Sequence, residues 1–401
     1  MDPWKASGPD VFPPGFYLSQ WDIVKYDLVK VIQNFFRSGF IYKRVNQTRL
    51  MIVPKVKIHS SPTDYLPIDL CNTSYKLISK LMARRMKVVL TKVISPLQST
   101  YVSGRLITDN ISLAHEIIHT LKRKKKGENY IALKLDMSKA FDKLECPFKP
   151  TWGILQGDHI SPYLFIISME ALSREMVAVE FSKSISGIQI DRRAPPISHL
   201  LFADDCLIFV KANLDNINNL QDILNSFSSS SGQVLNYQKS SICFSNNIST
   251  EAATTITRIL NVKKMEPEEK YLGILLFLNK KKRVSFNNLV VNMERRLSKW
   301  RGTTHSQAGR GVMVRNVLST IPLHQMSSFE LPEETIKKMD SVHLRFWWNK
   351  ADKKVLCLTS FSSLCKTIDD GGLNFVVLIM HSWKKQHGEF VQQMTHFWYI
   401  L

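Results

Sequence analysis

The chain contains 401 residues, of which 44% are hydrophobic and 22% are charged, values typical of a globular protein large enough for two or three domains. Its 54 Lys and Arg residues exceed its 34 Asp and Glu residues, so the formal net charge is +20 and a polyanionic partner is favoured. The amino-terminal residues lack the basic-then-apolar layout of a signal peptide, and no apolar stretch is long enough to span a membrane. These features predict an intracellular protein, in the nucleus or the cytoplasm, without a membrane partner.

Residues 75–90 predict a long amphipathic helix. Apolar side chains recur near three- and four-residue steps along it: Leu77, Ile78, Leu81, Met82 and Met86. Elsewhere its surface is basic: Lys76, Lys80, Arg84 and Arg85. Such a surface indicates either plain solvation or a contact with a nucleic-acid strand, and the sequence leaves both interpretations open.

Basic residues are also concentrated in three short runs. Residues 122–126 adjoin Gly127, which favours a solvated loop over a binding site. The other two runs lie in the last third of the chain: Lys280, Lys281, Lys282 and Arg283, followed by Arg295 and Arg296. Together with the net charge, they favour contact with the phosphates of a nucleic acid.

Residues 130–135 form a strand-like apolar run that ends at a carboxylate, Asp136. Further along, the Gln-Gly-Asp segment 156–158 stands just before Ser161 and Pro162. A serine followed by a proline is a favourable cap and first-turn pair, so a helix is predicted to begin there.

The most informative segment, residues 197–210, places two adjacent carboxylates, Asp204 and Asp205, between two apolar runs. The pattern predicts two buried strands joined by a tight turn with both acids at its tip. Adjacent carboxylates repel each other, and apolar surroundings make each costly to ionise, so a bound divalent cation would offset both penalties. Mg²⁺ prefers such oxygen ligands. The alternative is an exposed Asp-Asp turn without a function.

Two later segments also carry a prediction. The serine-rich residues 226–231 are typical of a loop. A helix is predicted after Leu331, since Pro332 suits a first turn and the acidic residues that follow favour its positive end. Its core face consists of apolar residues at helical steps: Ile336, Met339, Val342 and Phe346. The run 345–348, with three aromatic residues, is predicted to pack in a core in preference to stacking on bases.

The order of these motifs resembles the palm of a reverse transcriptase: an acid-bearing strand, a Gln-Gly-Asp turn with its helix, and an Asp-Asp hairpin. Other segments resemble the reverse transcriptases of non-LTR retrotransposons, in particular those of the plant LINE type. These segments are spread along the chain: residues 5–10, 35–40, 65–68, 74–80, 104–110, 231–240, 271–273, 297–302, 306–310 and 345–348. Because three palm motifs agree in order and type, the sequence is identified as a member of that family.

The resemblance implies an α+β fold of the right-hand polymerase type. Its fingers would comprise residues 1–127, its palm with an antiparallel sheet residues 128–279, and its helical thumb residues 280–401. It also implies RNA-directed DNA polymerisation, in which two Mg²⁺ ions, with Mn²⁺ as the alternative, serve nucleotidyl transfer to a primer 3′-hydroxyl. The implied partners are an RNA template, a DNA primer and deoxynucleoside triphosphates.

Residue roles follow from the same resemblance, position by position. The catalytic, metal-binding acids would be Asp136, Asp204 and Asp205. The nucleotide site would comprise the aromatic steric gate Phe141, the turn residues Gln156 and Gly157, and Lys239 near the pyrophosphate. The nucleic-acid contacts would come from basic residues: Arg84, Arg85, Arg105, Lys280, Lys281, Lys282, Arg283, Arg295 and Arg296.

Departures from the family imply a truncated and internally deleted copy. Several dozen residues expected between the acid-bearing strand and the Gln-Gly-Asp turn are missing, which leaves the palm incomplete near Cys146; a genomic deletion and a mis-assigned splice junction are both open. Leu66, Trp152 and Leu155 stand where the family has arginine, and neither Leu nor Trp can make a bidentate phosphate contact. The alternative function is therefore a catalytically dead remnant that at most binds nucleic acid non-specifically.

Overall fold

The computed structural model describes residues 1–56, 59–138, 155–191, 194–279, 281–298, 305–348 and 359–375. The chain divides into two compact units: Met1–Asn110 with His119–Met265, and Ile111–Ile118 with Glu266–Leu401. No helix in the described ranges is both long and apolar enough to cross a membrane.

Helices and strands are mixed up to Leu275, and the described elements that follow are helices, which confirms the predicted α+β class. The helices are α1 (Pro14–Ser19), α2 (Trp21–Ser38), α3 (Thr73–Val93), α4 (Ile107–Arg123), α5 (Ser161–Phe181), α6 (Leu214–Ser231), α7 (Thr250–Leu260), α8 (Lys282–Ser298), α9 (Gln307–Met313), α10 (Leu323–Met326), α11 (Glu333–Trp347) and α12 (Phe361–Leu364). The strands are β1 (Thr48–Pro54), β2 (Tyr65–Cys71), β3 (Tyr130–Leu135), β4 (Met137–Ser138), β5 (His199–Phe202), β6 (Asp205–Lys211), β7 (Val234–Leu235), β8 (Ser241–Phe244), β9 (Lys263–Lys264), β10 (Lys270–Tyr271) and β11 (Ile274–Leu275).

The first unit is organised around a five-stranded sheet in the order β5-β6-β3-β8-β9. β3 lies in the centre and pairs antiparallel with β6 on one side and with β8 on the other. β5 and β6 form the predicted antiparallel hairpin, with the two acids at its turn. The predicted antiparallel sheet is therefore confirmed, apart from the parallel pair of β8 with β9.

Two helices, α5 and α6, pack on this sheet and bury its apolar side chains. Leu133 of β3 belongs to one buried cluster with Phe165 of α5 and Leu220 of α6. The strands are continuous apolar runs because strands in the middle of a covered sheet are shielded from water along their length. α5 begins at Ser161, as predicted, although the cap position is occupied by Ile160.

The amino-terminal part of the first unit contains a two-stranded antiparallel sheet, β1 with β2, followed by α3. α3 confirms the helix predicted over residues 75–90 and extends it at both ends. Ile78 and Leu90 are buried on its inner face, whereas Arg84 and Arg85 are exposed.

The prediction of a loop over residues 226–231 was wrong, because α6 continues to Ser231. Phe227 is buried in the sheet's hydrophobic cluster, so tertiary packing outweighs the weak helix propensity of serine. The hydroxyls of Ser230 and Ser231 donate to the Phe227 carbonyl one turn earlier, which satisfies them inside the helix. Gly232 ends the helix in the left-handed region at φ 70°.

The second unit is mainly helical, with a core formed by α8, α9, α11, α12 and a π-helical segment, Val314–Leu318. α11 confirms the helix predicted after Pro332, and Met339 and Val342 are buried on its core face. Phe346 and Trp347 are buried in the same core, which confirms that these aromatic residues pack inside the protein. The limits given to fingers, palm and thumb remain predictions.

Candidate active site

Strand register brings the three sequence-predicted acids together. Leu135, the last residue of β3, lies opposite Cys206 of β6, so the antiparallel ladder leads Asp136 to a position beside Asp205. Asp204 lies in the turn that joins β5 to β6. Asp204 is exposed, whereas the other two acids are partly buried.

The electrostatics of these acids agree with this arrangement. Burial raises the pKa of Asp136, and the charge of Asp204 raises it further, while Lys239 and Lys134 act in the opposite direction. Burial also raises the pKa of Asp205, and the charges of Asp204 and Asp136 add to that rise. The charge of Asp204 thus disfavours the ionisation of both Asp136 and Asp205, and a bound cation would lower the free energy of such a site.

The donor set suits a hard divalent cation, although the described part of the chain has no cluster of three or more His, Cys, Asp or Glu side chains that could hold one. Mg²⁺ is usually bound by one or two carboxylates together with substrate phosphates and waters, so a ready-made protein cage is not required. The residues present therefore fit a divalent cation whose other ligands are phosphates or waters.

The hairpin tip is held by a side chain that the sequence analysis missed. Ala203 adopts φ 53°, in the left-handed region that alanine disfavours. The buried Gln98 side chain accepts hydrogen bonds from the backbone N–H groups of Ala203 at 3.3 Å and Thr100 at 3.2 Å. The Asn110 amide also donates to the Leu201 carbonyl at 2.8 Å. Gln98 and Asn110 therefore support the acid-bearing turn.

The Gln156-Gly157 turn lies against β2. The Gln156 N–H donates to the Asp69 carboxylate at 2.8 Å, and the Asp69 N–H donates back to the Gln156 carbonyl at 2.8 Å. Gly157 has φ 106°, and a Cβ there would lie 3.2 Å from the Asp69 carbonyl oxygen, so glycine is needed for this close approach. The buried Asp158 accepts a hydrogen bond from the Tyr75 hydroxyl at 3.2 Å, which gives it a structural role.

Removal of the Tyr75 hydroxyl tests this contact. We expect Tyr75→Phe to lower the free energy of unfolding by about 1.5–3 kcal/mol, because the buried Asp158 carboxylate loses a charge-assisted hydrogen bond. The same change in the exposed Tyr42 is the control and should have little effect. Urea denaturation of both variants measures the difference, and equal midpoints would show that the Tyr75 hydroxyl contributes nothing.

Several of the predicted nucleic-acid contacts already have partners in the protein. The Arg85 guanidinium lies 4.3 Å from the centre of the Phe36 ring. Arg105 donates to the Ile94 carbonyl at 2.9 Å and to the Ser95 and Gln98 carbonyls, and burial lowers its pKa. Their contacts with nucleic acid stay predictions.

The remaining basic positions differ in their surroundings. Arg283 pairs with Glu334 at 2.9 Å, and Arg295 donates to the Asn292 side chain at 2.9 Å. The other predicted basic site residues in the described ranges are exposed: Arg84, Lys239, Lys281, Lys282 and Arg296. Four of the predictions fall outside the described residues: Phe141, Lys280, Trp152 and the deletion predicted near Cys146.

A fully buried histidine begins the strand that leads to the acidic turn. His199 lies 2.8 Å from the Ser173 hydroxyl through Nε2 and 3.1 Å from the Ser198 hydroxyl through Nδ1. Burial lowers its pKa from 6.5 to about 4. Between pH 6.5 and 4, the imidazole of His199 is protonated in the unfolded chain but stays neutral in the folded chain. The contribution of His199 to the stability of the fold is therefore fully present above pH 6.5 and is lost as the pH falls towards 4.

We therefore expect His199 to make the free energy of unfolding fall by up to about 1.4 kcal/mol per pH unit between pH 6.5 and 4. His199→Gln should remove this part of the slope, whatever its effect at pH 7. His119→Gln, at an exposed position, should leave the slope unchanged. Denaturant melts at several pH values measure how the free energy of unfolding depends on pH. The expectation would be contradicted if this dependence were the same in the parent and in His199→Gln.

Comparison with known proteins shows the family to which this chain is similar. The model of the family described as reverse transcriptase (RNA-dependent DNA polymerase) matches residues 53–276. The transposon TX1 uncharacterized 149 kDa protein of Xenopus laevis is 24% identical over 386 residues, covering 86% of this chain and 29% of that protein. The retrovirus-related Pol polyprotein from type-1 retrotransposable element R2 of Nasonia vitripennis is 22% identical over 245 residues, covering 51% of this chain and 22% of that protein.

The chain thus spans less than a third of the length of either relative. Among solved structures, telomerase from Candida albicans, in complex with a TWJ fragment of telomeric RNA, matches with a TM-score of 0.36 and 10% identity, over 85% of this chain and 64% of that one. The plant LINE type and the truncation remain predictions. Because the family match covers more than half of the chain and includes all three acids, the protein belongs to the reverse transcriptase family, and its transposon relatives support the non-LTR retrotransposon assignment.

Proposed function

We propose that this chain carries out RNA-directed DNA polymerisation as the polymerase region of a non-LTR retrotransposon protein. The observation that carries the proposal is the group of three acids at the ends of β3 and β5 and the start of β6, in which Asp136 and Asp205 have raised pKa values. The substrates would be an RNA template, a DNA primer and deoxynucleoside triphosphates. The site of action would be the nucleus or the cytoplasm.

The acids would hold two Mg²⁺ ions, with Mn²⁺ as the alternative. When bound, the ions would activate the primer 3′-hydroxyl and stabilise the pyrophosphate that leaves. Asp204, which is exposed at the hairpin tip, is open to an incoming triphosphate. The charge of Lys239 opposes the rise in the pKa of Asp136, so its ammonium would add positive charge beside the same phosphates.

Binding of the other substrates would use other residues of the chain. Gln156 and Gly157, held on β2 by Asp69, would border the nucleotide. The exposed basic residues of α3 and α8 would contact backbone phosphates: Arg84, Lys282 and Arg296. Phe141 would be the steric gate that rejects the 2′-hydroxyl of a ribonucleotide.

A remnant that only binds nucleic acid is the second candidate, and Leu66 and Leu155 favour it. Leucine at these two positions cannot supply the bidentate phosphate contacts of arginine. The net charge of +20 would still support weak binding that weakens as salt increases.

Primer extension distinguishes the two candidates. The purified chain is incubated with poly(A)/oligo(dT), dTTP and Mg²⁺, and filter binding across a salt series is measured on the same preparation. Mg²⁺-dependent extension supports polymerisation. Salt-sensitive binding without extension supports the remnant and contradicts the proposed activity.

A further inference from the structure

The turn between β7 and β8 encloses the backbone of Asp136. The Asn236 N–H donates to the Asp136 carbonyl at 2.8 Å. The Asp136 N–H donates to the Ser240 hydroxyl at 3.1 Å, and that hydroxyl donates to the Asn236 carbonyl at 2.8 Å. Ser240 has no exposed surface, so water does not replace these bonds. Both backbone groups of the acid are thus satisfied by one five-residue turn.

Asp136 needs these partners because it lies between two ladders. β3 pairs with β8 as far as Lys134 opposite Ser241, and β4 pairs with β7 from Met137 opposite Leu235. Asp136 falls in neither pairing. The Ser240 hydroxyl supplies the acceptor that a neighbouring strand would otherwise provide.

The same turn carries Lys239. Its backbone N–H donates to the Asn236 carbonyl at 3.1 Å, which fixes the residue at the turn, while its side chain remains exposed. Its charge acts on the Asp136 carboxyl. The turn therefore sets the backbone positions of Asp136 and Lys239, whose charges interact although the two residues are distant in sequence.

We propose that Ser240 is a positioning residue for Asp136: its buried hydroxyl fixes the acid's backbone and thereby directs the carboxylate towards Asp205 and the cation site. The inference rests on the proposed function, because positioning matters only if Asp136 is a metal ligand. A ligand that loses the group orienting it typically binds metal 10- to 100-fold more weakly.

The adjacent residue provides a matched control. Ser241 is as fully buried as Ser240, but within the described residues its hydroxyl has no hydrogen-bond partner. Ser240→Ala and Ser241→Ala are therefore the same chemical change at neighbouring, equally buried positions, and only the first removes a bond to Asp136.

The test is Mn²⁺ binding by the full chain without nucleic acid or nucleotide, followed by electron paramagnetic resonance of the free ion. We expect Ser240→Ala to bind Mn²⁺ about 10-fold more weakly than the parent and Ser241→Ala to stay within about twofold. Ser240→Thr, which keeps the hydroxyl, should restore the affinity. Amide hydrogen exchange at Asp136 should become faster in Ser240→Ala alone. Equal affinities for the two alanine variants would overturn the inference.

Two further variants make every outcome decisive. If Ser240→Ala does not fold, Ser240→Cys replaces it, because the thiol keeps the volume of the side chain but accepts hydrogen bonds weakly. A Mn²⁺ affinity of Ser240→Cys equal to that of Ser240→Thr overturns the inference. If Asp136→Asn leaves Mn²⁺ binding unchanged, both the proposed metal site and the inference fail. A chain that binds Mn²⁺ through Asp136 and Ser240 but extends no primer refutes polymerisation and leaves the positioning role intact.

Discussion

Replacing Asp204 with alanine should reduce primer extension at least about 1,000-fold, a loss of about 4 kcal/mol of transition-state stabilisation. The carboxylate is exposed at the hairpin tip and acts electrostatically on both Asp136 and Asp205, so its removal would take away the most accessible of the three proposed metal ligands. Steady-state incorporation of dTTP on poly(A)/oligo(dT) measures the effect.

The control is another exposed aspartate. Asp222→Ala, on the surface of α6, removes the same charge away from the hairpin and should leave incorporation within about twofold of the parent. Template binding by Asp204→Ala should be retained, because phosphate contacts come from basic residues. Incorporation by Asp204→Ala at the parent's rate would refute a catalytic role for the acid pair.

The largest expected loss of stability comes from the core beneath the sheet. Phe165 of α5 has no exposed surface and belongs to the hydrophobic cluster formed by β3, β6 and α6. We expect Phe165→Ala to lower the free energy of unfolding by about 3–5 kcal/mol, because it removes buried apolar area and leaves a cavity. That is a large share of the marginal stability of a domain.

The same helix supplies the comparison. Phe181, at the end of α5, is 92% exposed, so Phe181→Ala should change stability by no more than about 0.5 kcal/mol. Urea denaturation followed by circular dichroism gives both values. If the two variants lose stability equally, the cluster around Phe165 is not the core of this unit.

Elements with strong local signals could be predicted from the sequence. The apolar runs around Asp204 and Asp205 indicated a hairpin, Ser161 and Pro162 marked the start of α5, and the steps from Met339 to Phe346 gave the core face of α11. The three acids were identified because each stands at the end of an apolar run, and the strand register brings those ends together.

The supports of the site could not be predicted, because they depend on contacts between distant residues. Gln98 and Ala203 are 105 residues apart, Asp69 and Gln156 are 87 apart, and Ser240 lies 104 residues from its acid. Such hydrogen bonds leave no periodic pattern in the sequence.

The deletion predicted near Cys146 would remove part of the support of the palm, so we expect it to shift Gln156 relative to Asp136. The described contacts show that the Gln156 turn is held on β2 through Asp69, which precedes the predicted deletion in the chain. If the deletion is real, restoring the palm segment would add a second support to this turn.

The most direct measurement is single-nucleotide incorporation on a mixed-sequence RNA template, with each deoxynucleoside triphosphate supplied alone. We expect the chain to add to the DNA primer only the nucleotide complementary to the next template base, in the presence of Mg²⁺ and not after its chelation by EDTA. Incorporation that ignores the template base, or none at all by a folded chain that binds the template and primer, would contradict the proposal that this protein is a working reverse transcriptase.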